Sequence, residues 1–140
     1  MNSTIKSLFK SCKQVPLNIF LVIIIMLFYS LNRFYLKNLF DGWFGYILKC
    51  HFNDFLCGIL FIAYSNIFLL TRNKSITKLP IIIPYTFSAG LVWEFVAPYL
   101  RQDSTSDWID VGCYILGGIT YWIIYHTYIY IKTERMNKND

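Results

Sequence analysis

The sequence contains few charged residues. Only 15% of its 140 residues are charged, whereas soluble domains average about 25%. Apolar residues make up 56% of the chain, and the mean hydropathy is +0.43. This composition excludes intrinsic disorder and argues against an ordinary soluble enzyme. The length allows a single domain, residues 1–140.

Several sequence signatures are also absent. There is no P-loop, no dinucleotide-binding glycine motif, no paired C-x-x-C and no internal repeat. The first apolar run ends without a small-x-small cleavage site, so we interpret it as an uncleaved membrane anchor. The net charge of +5 comes from basic residues that flank apolar segments. We therefore expect no nucleic-acid partner.

Four long apolar segments are present instead. A helix needs roughly 20 mostly apolar residues to cross a membrane. Segments of about this length lie at residues 15–31, 53–70, 79–100 and 108–131. Each is too long for a strand and too uniformly apolar for a surface helix. The sequence therefore predicts an all-α bundle of four transmembrane helices, with the lipid bilayer as its partner.

The basic residues predict the orientation of the bundle. Nine of the thirteen fall in the tails, residues 1–14 and 132–140, and in the loop after the second segment, whereas four fall on the other side. An excess of Lys and Arg marks the cytoplasmic side. We expect a multi-pass protein of the plasma or inner membrane with both termini in the cytoplasm.

The connection between the first two segments, residues 32–52, is rich in aromatic residues. Aromatic side chains favour the headgroup level of a bilayer, so we expect this stretch to lie in the outer interface. The Asp41-Gly42 pair predicts a turn within it.

Five acidic residues fall near the outer ends of the last three segments. They are Asp54, Glu94, Asp103, Asp107 and Asp110. Glu94 lies seven residues before Arg101, about 10 Å deeper on the same helical face. A carboxylate at that depth costs about 2.5–3.5 kcal/mol, so it should be paired, protonated or in a wet cavity. Arg101 is the expected partner.

Helical spacing aligns three of these acids, one on each of the last three segments, with a small residue. The stripes contain Asp54 with Gly58, Glu94 with Gly90, and Asp110 with Gly117. Small residues allow membrane helices to approach closely, so the three stripes are predicted to face one another. A structural alternative is that Asp54 and Asp107 simply cap their helices.

These residues form the predicted binding pocket. Its members are Asp54, Glu94, Arg101, Asp107 and Asp110, with His51 and Tyr114 as second choices. Glu94, Asp107 and Asp110 offer oxygen ligands, which suit Mg²⁺ or Ca²⁺. Zinc on Cys50, His51, Asp54 and Cys57 is disfavoured because no paired C-x-x-C supports it.

One motif of the chain reads Glu94…Arg101…Asp107-Trp-Ile-Asp110-Val-Gly-Cys-Tyr114-Ile-Leu-Gly117-Gly118. This motif resembles the last helices of the VanZ-like membrane proteins. The run from His51 to Phe55 resembles the polar opening of an earlier helix in the same family. The resemblance covers residues 49–70 and 91–121. Tyr114 replaces the family's Asn. The chain looks closest to short four-helix members labelled magnesium–citrate-type secondary transporters. The resemblance implies a polytopic membrane protein, sometimes linked to glycopeptide tolerance.

Three functions remain open at this level. The first is an accessory protein whose outward-facing pocket binds a cation or a charged cell-envelope headgroup. The second is a small secondary transporter, which would need a homo-oligomer because four helices contain no inverted repeat. The third is a membrane-embedded, metal-dependent hydrolase or transferase acting on lipid-linked substrates.

Overall fold

The computed structural model of the chain describes residues 3–96 and 107–138 and contains no strand within those ranges. The helices are α1 (Ser3–Leu31), α2 (Lys37–Leu39), α3 (Gly42–Cys50), α4 (Phe52–Leu70), α5 (Leu79–Leu91) and α6 (Trp108–Asn137). Two π-helical turns, Asn32–Leu36 and Val92–Val96, follow α1 and α5. The predicted all-α class is confirmed for these residues.

Four stretches are long and apolar enough to cross a membrane, as the composition predicts. They are Gln14–Leu39, Gly42–Leu70, Leu79–Val96 and Trp108–Arg135. Three of them extend beyond the predicted segments, because hydropathy marks only the part of a helix that suits lipid. Backbone hydrogen bonds carry a helix past that point.

The aromatic connection is a helical hairpin. The chain reverses at Phe40–Asp41, and Gly42 adopts a φ of 72°, which favours glycine. The buried Asn32 amide fastens the two arms by donating to the Leu48 carbonyl at 2.8 Å and to Asn53 Oδ1 at 2.9 Å. The aromatic side chains are exposed, with Trp43 at 78%. Their place in the interface stays a prediction.

Glycines set the closest helix contacts. A Cβ at Gly58 of α4 would collide with the Tyr114 carbonyl of α6, and one at Gly117 would collide with the Phe55 carbonyl. On the other side of α6, a Cβ at Gly90 would lie 3.2 Å from the Val111 Cα. Because small residues let backbones touch, α6 packs tightly against both α4 and α5.

A buried polar network joins α1, α4 and α6 at the end of the bundle that holds Gln14 of α1 and Tyr125 of α6. The Tyr121 hydroxyl donates to Asn18 Oδ1 at 2.7 Å and accepts from Asn66 Nδ2 at 2.7 Å. The Gln14 amide donates to the Tyr125 hydroxyl. The early part of α1 and the later part of α6 therefore lie at the same end of the bundle.

Candidate functional site

Three spans bring ionisable side chains to the end of the bundle opposite that network. His51 lies at the junction of α3 and α4, and Asp54 in the first turn of α4. Glu94 lies in the π-helical turn after α5, and Asp110 in the first turn of α6. We call these four residues, together with Tyr114, the polar cluster. π-Helical turns are frequent at functional sites.

His51 and Asp110 form the best-defined pair of the cluster. The distance between His51 Nδ1 and Asp110 Oδ1 is 2.6 Å, and the two side chains are 10% and 15% exposed. A carboxylate can only accept, so the imidazole Nδ1–H donates this bond. An edge contact with Tyr46, at 5.3 Å between ring centroids, also orients the imidazole.

Asp54 adds a second carboxyl to this pair. It lies within electrostatic reach of Asp110, Glu94 and His51. Like charges repel strongly where helices exclude water, so the group needs compensation by a cation, a proton or hydrogen-bond donors. The arrangement is therefore suited chemically to holding a positive ligand.

Tyr114 lies one turn of α6 beyond Asp110, on the side of the cluster that faces the interior of the bundle. Its side chain is buried and lies close to the Cys57 thiol, and it is within electrostatic reach of Asp54 and Glu94. The phenol therefore connects the cluster with the apolar interior.

Glu94 and Asp107 meet at the start of α6. The Asp107 backbone N–H donates to Glu94 Oε2 at 3.3 Å, and Glu94 is only 6% exposed. Asp107 Oδ1 accepts from the Ile109 N–H at 2.9 Å. Asp107 thus stabilises the first turn of α6, which agrees with the capping alternative raised for it.

Arg101 and Asp103 lie outside the described residues. The expected pairing of Glu94 with Arg101 therefore stays a prediction.

Within the described part of the chain, one group of three side chains has the convergence that a metal ion needs. The ligand atoms of His51, Asp110 and Cys113 all lie within 4.8 Å of one another. The trio that the sequence favoured, Glu94, Asp107 and Asp110, does not form such a group there. Cys113 was not among the site residues predicted from the sequence. Its position three residues after Asp110, on the same helical face, was the available signal.

An apolar groove opens beside the cluster. It has a volume of about 780 Å³ and lies between α1, α4 and α5. Val22 and Met26 form one wall, and Tyr85 and Ala89 form the other. Cys57 and Tyr114 both line the groove, and Tyr114 also belongs to the polar cluster, so the two features meet at this residue.

Comparisons with known proteins give no relative: no family model, curated protein or solved structure matches the chain.

Proposed function

We propose that the protein is an integral membrane protein that binds an amphiphilic lipid, with the headgroup in the polar cluster and a hydrocarbon chain in the groove. The observation that carries this proposal is the junction of the two features at Tyr114. Ligand sites are typically apolar cavities of about 300–1,000 Å³ with a few polar groups that fix orientation. A groove of about 780 Å³ that meets the polar cluster at Tyr114 fits this description.

Charge favours a headgroup that carries an amine. Asp54 and Asp110 contribute two carboxyls, whereas His51 contributes one imidazole that already bonds to Asp110. Complementary charge selects partners and suppresses wrong ones. An anionic headgroup would add to the repulsion among the carboxyls.

The orientation of the bundle is part of the proposal. With both termini in the cytoplasm of a cell with a plasma or inner membrane, the cluster faces outward, at the level of the external headgroups. The excess of basic residues in the tails and in the loop at residues 71–78 supports this arrangement. The ligand would then be a lipid or lipid-linked molecule of the cell envelope.

An accessory, binding role fits these features better than transport. The carboxyls gather at one end of the bundle, and the buried polar groups at the other end, among them Asn18, Asn66 and Tyr121, are uncharged. A transport route for a charged solute would need ionisable groups along the spans. We also propose that the chain is a divergent member of the VanZ-like proteins, on the motif from Glu94 to Gly118.

Native mass spectrometry of the detergent-purified chain tests this proposal. We expect phosphatidylethanolamine to be retained about tenfold better than phosphatidylglycerol. Ala89→Trp, which fills the groove, should abolish retention, and Leu116→Trp, on the exposed face of α6, should not. Equal retention of both lipids, or equal effects of the two Trp variants, would contradict the proposal.

A further inference from the structure

His51, Asp110 and Cys113 differ in kind from the oxygen set expected for Mg²⁺ or Ca²⁺. They offer one nitrogen, one oxygen and one sulfur atom, all within 4.8 Å of one another. Imidazole and thiolate ligands favour Zn²⁺ and neighbouring transition metals, whereas hard cations favour oxygen alone. We propose that these three side chains form a transition-metal site of the Zn²⁺ class. This inference rests on the trio alone and not on lipid binding.

The geometry needs only a small adjustment. Zinc bonds of about 2.0–2.3 Å in a tetrahedron place the ligand atoms about 3.3–3.6 Å apart. His51 Nδ1 and Asp110 Oδ1 are 2.6 Å apart, so a metal between them replaces their hydrogen bond and separates them by about 0.7 Å. Rotation of the two side chains supplies that distance without moving a helix.

Rigid helices hold the trio in place. Asp110 and Cys113 are one turn apart on α6, and His51 is the residue between α3 and α4 that precedes the first turn of α4. The glycine contacts of Gly58 and Gly117 fix α4 against α6. Ligands on packed helices are positioned more accurately than ligands on loops.

Charge balance also supports a divalent ion. One carboxylate and one thiolate neutralise the two positive charges of Zn²⁺, and the imidazole binds as a neutral ligand. On binding, the Cys113 thiol releases its proton to water, and the ring proton of His51 moves from Nδ1 to Nε2. The complex therefore leaves no net charge among the three ligands in a region of low dielectric constant.

Three protein ligands leave one tetrahedral position open, as in catalytic zinc sites. Asp54 lies within electrostatic reach of both Asp110 and Cys113. Its carboxyl therefore adds to the negative potential that favours a cation at the three ligands.

Titration of the purified full-length chain with Co²⁺ tests the site. Thiolate ligation gives a sulfur-to-cobalt charge-transfer band, and we expect this band at one Co²⁺ per chain, with about one proton released. Zn²⁺ should displace Co²⁺, and a large excess of Mg²⁺ should not. His51→Gln and Asp110→Asn should each weaken binding by more than about 100-fold, because losing a residue that only supports a metal ligand already costs about 10–100-fold.

Cys113→Ser should remove the charge-transfer band while circular dichroism shows unchanged helix content. Cys50→Ser is the matched control, because Cys50 is exposed and lies outside the trio. A band that survives in Cys113→Ser, a band that disappears in Cys50→Ser, or no band in the folded wild type would overturn the metal site. Because these measurements use no lipid, their failure is distinguishable from failure of the lipid proposal.

Discussion

Gly117 of α6 lies directly against Gly58 of α4, where a Cβ on Gly117 would be 2.9 Å from the Gly58 Cα. Asp54 lies one turn before Gly58, and Asp110 lies two turns before Gly117. The backbone contact therefore sets the distance between the two carboxyl-bearing helix ends. Any change in the helix spacing here moves the members of the polar cluster apart.

Gly117→Ala should destabilise the bundle by about 1–3 kcal/mol, the usual range for overpacking. The atoms that obstruct the new methyl group belong to the backbone of α4 and cannot move aside cheaply. SDS-induced unfolding followed by circular dichroism measures the effect.

Gly112→Ala is the matched control on the same helix. Nothing lies within 4 Å of a Cβ at Gly112. Because Ala favours helix over Gly, this variant should be neutral or more stable by up to about 1 kcal/mol. Equal destabilisation by the two substitutions would contradict the packing argument.

Tyr121→Phe should destabilise the opposite end of the bundle. The Tyr121 hydroxyl bridges Asn18 and Asn66, and its removal leaves the Asn18 oxygen without this donor. Hydrogen bonds between membrane helices contribute about 0.6 kcal/mol on average, with a maximum of about 1.7. We expect a loss in the upper half of that range.

Tyr35→Phe is the control for this prediction, because Tyr35 is 65% exposed on the hairpin. Its unfolding transition in SDS should match that of the wild type. If Tyr121→Phe also matches the wild type, the network contributes nothing to stability.

The spans and the packing glycines could be predicted from the sequence because both follow from simple periodicity. Apolar runs of about 20 residues have few alternatives to membrane helices. Spacings of three and four residues placed Gly58, Gly90 and Gly117 on the same faces as the acids, and the structure has these glycines at helix contacts. The structure also brings Asp54, Glu94 and Asp110 to one end. Their role in binding stays a prediction.

The features that could not be predicted depend on contacts between residues that are distant in sequence. The bond from Tyr121 to Asn18 joins residues 103 positions apart, and nothing in the local pattern of either residue indicates the other. Cys113 likewise lies near a potential metal ligand from another part of the chain only because the fold places His51, just before α4, close to it. The helical course of residues 32–50 was missed because its aromatic residues favour an interface without specifying backbone conformation.

Thiol labelling tests the predicted orientation. In a background that lacks the native cysteines, Asp41→Cys should react with a membrane-impermeant maleimide on intact cells, because Asp41 is fully exposed at the hairpin turn. Ser75→Cys, in the loop between α4 and α5, should react only after the membrane is permeabilised. The opposite pattern would invert the bundle and place the polar cluster on the cytoplasmic side.

A double-mutant cycle of His51→Gln and Asp110→Asn measures the coupling at the centre of the cluster. The two side chains are nearly buried and 2.6 Å apart, so we expect a coupling energy of about 1–3 kcal/mol in SDS unfolding. The exposed pair Tyr130 and Glu134, joined by a hydrogen bond of 2.8 Å, is the control and should couple by less than about 0.5 kcal/mol. If His51 and Asp110 couple no more than this surface pair, their bond is not what holds the ends of α4 and α6 together, and the preorganisation of the cluster must come from the glycine contacts alone.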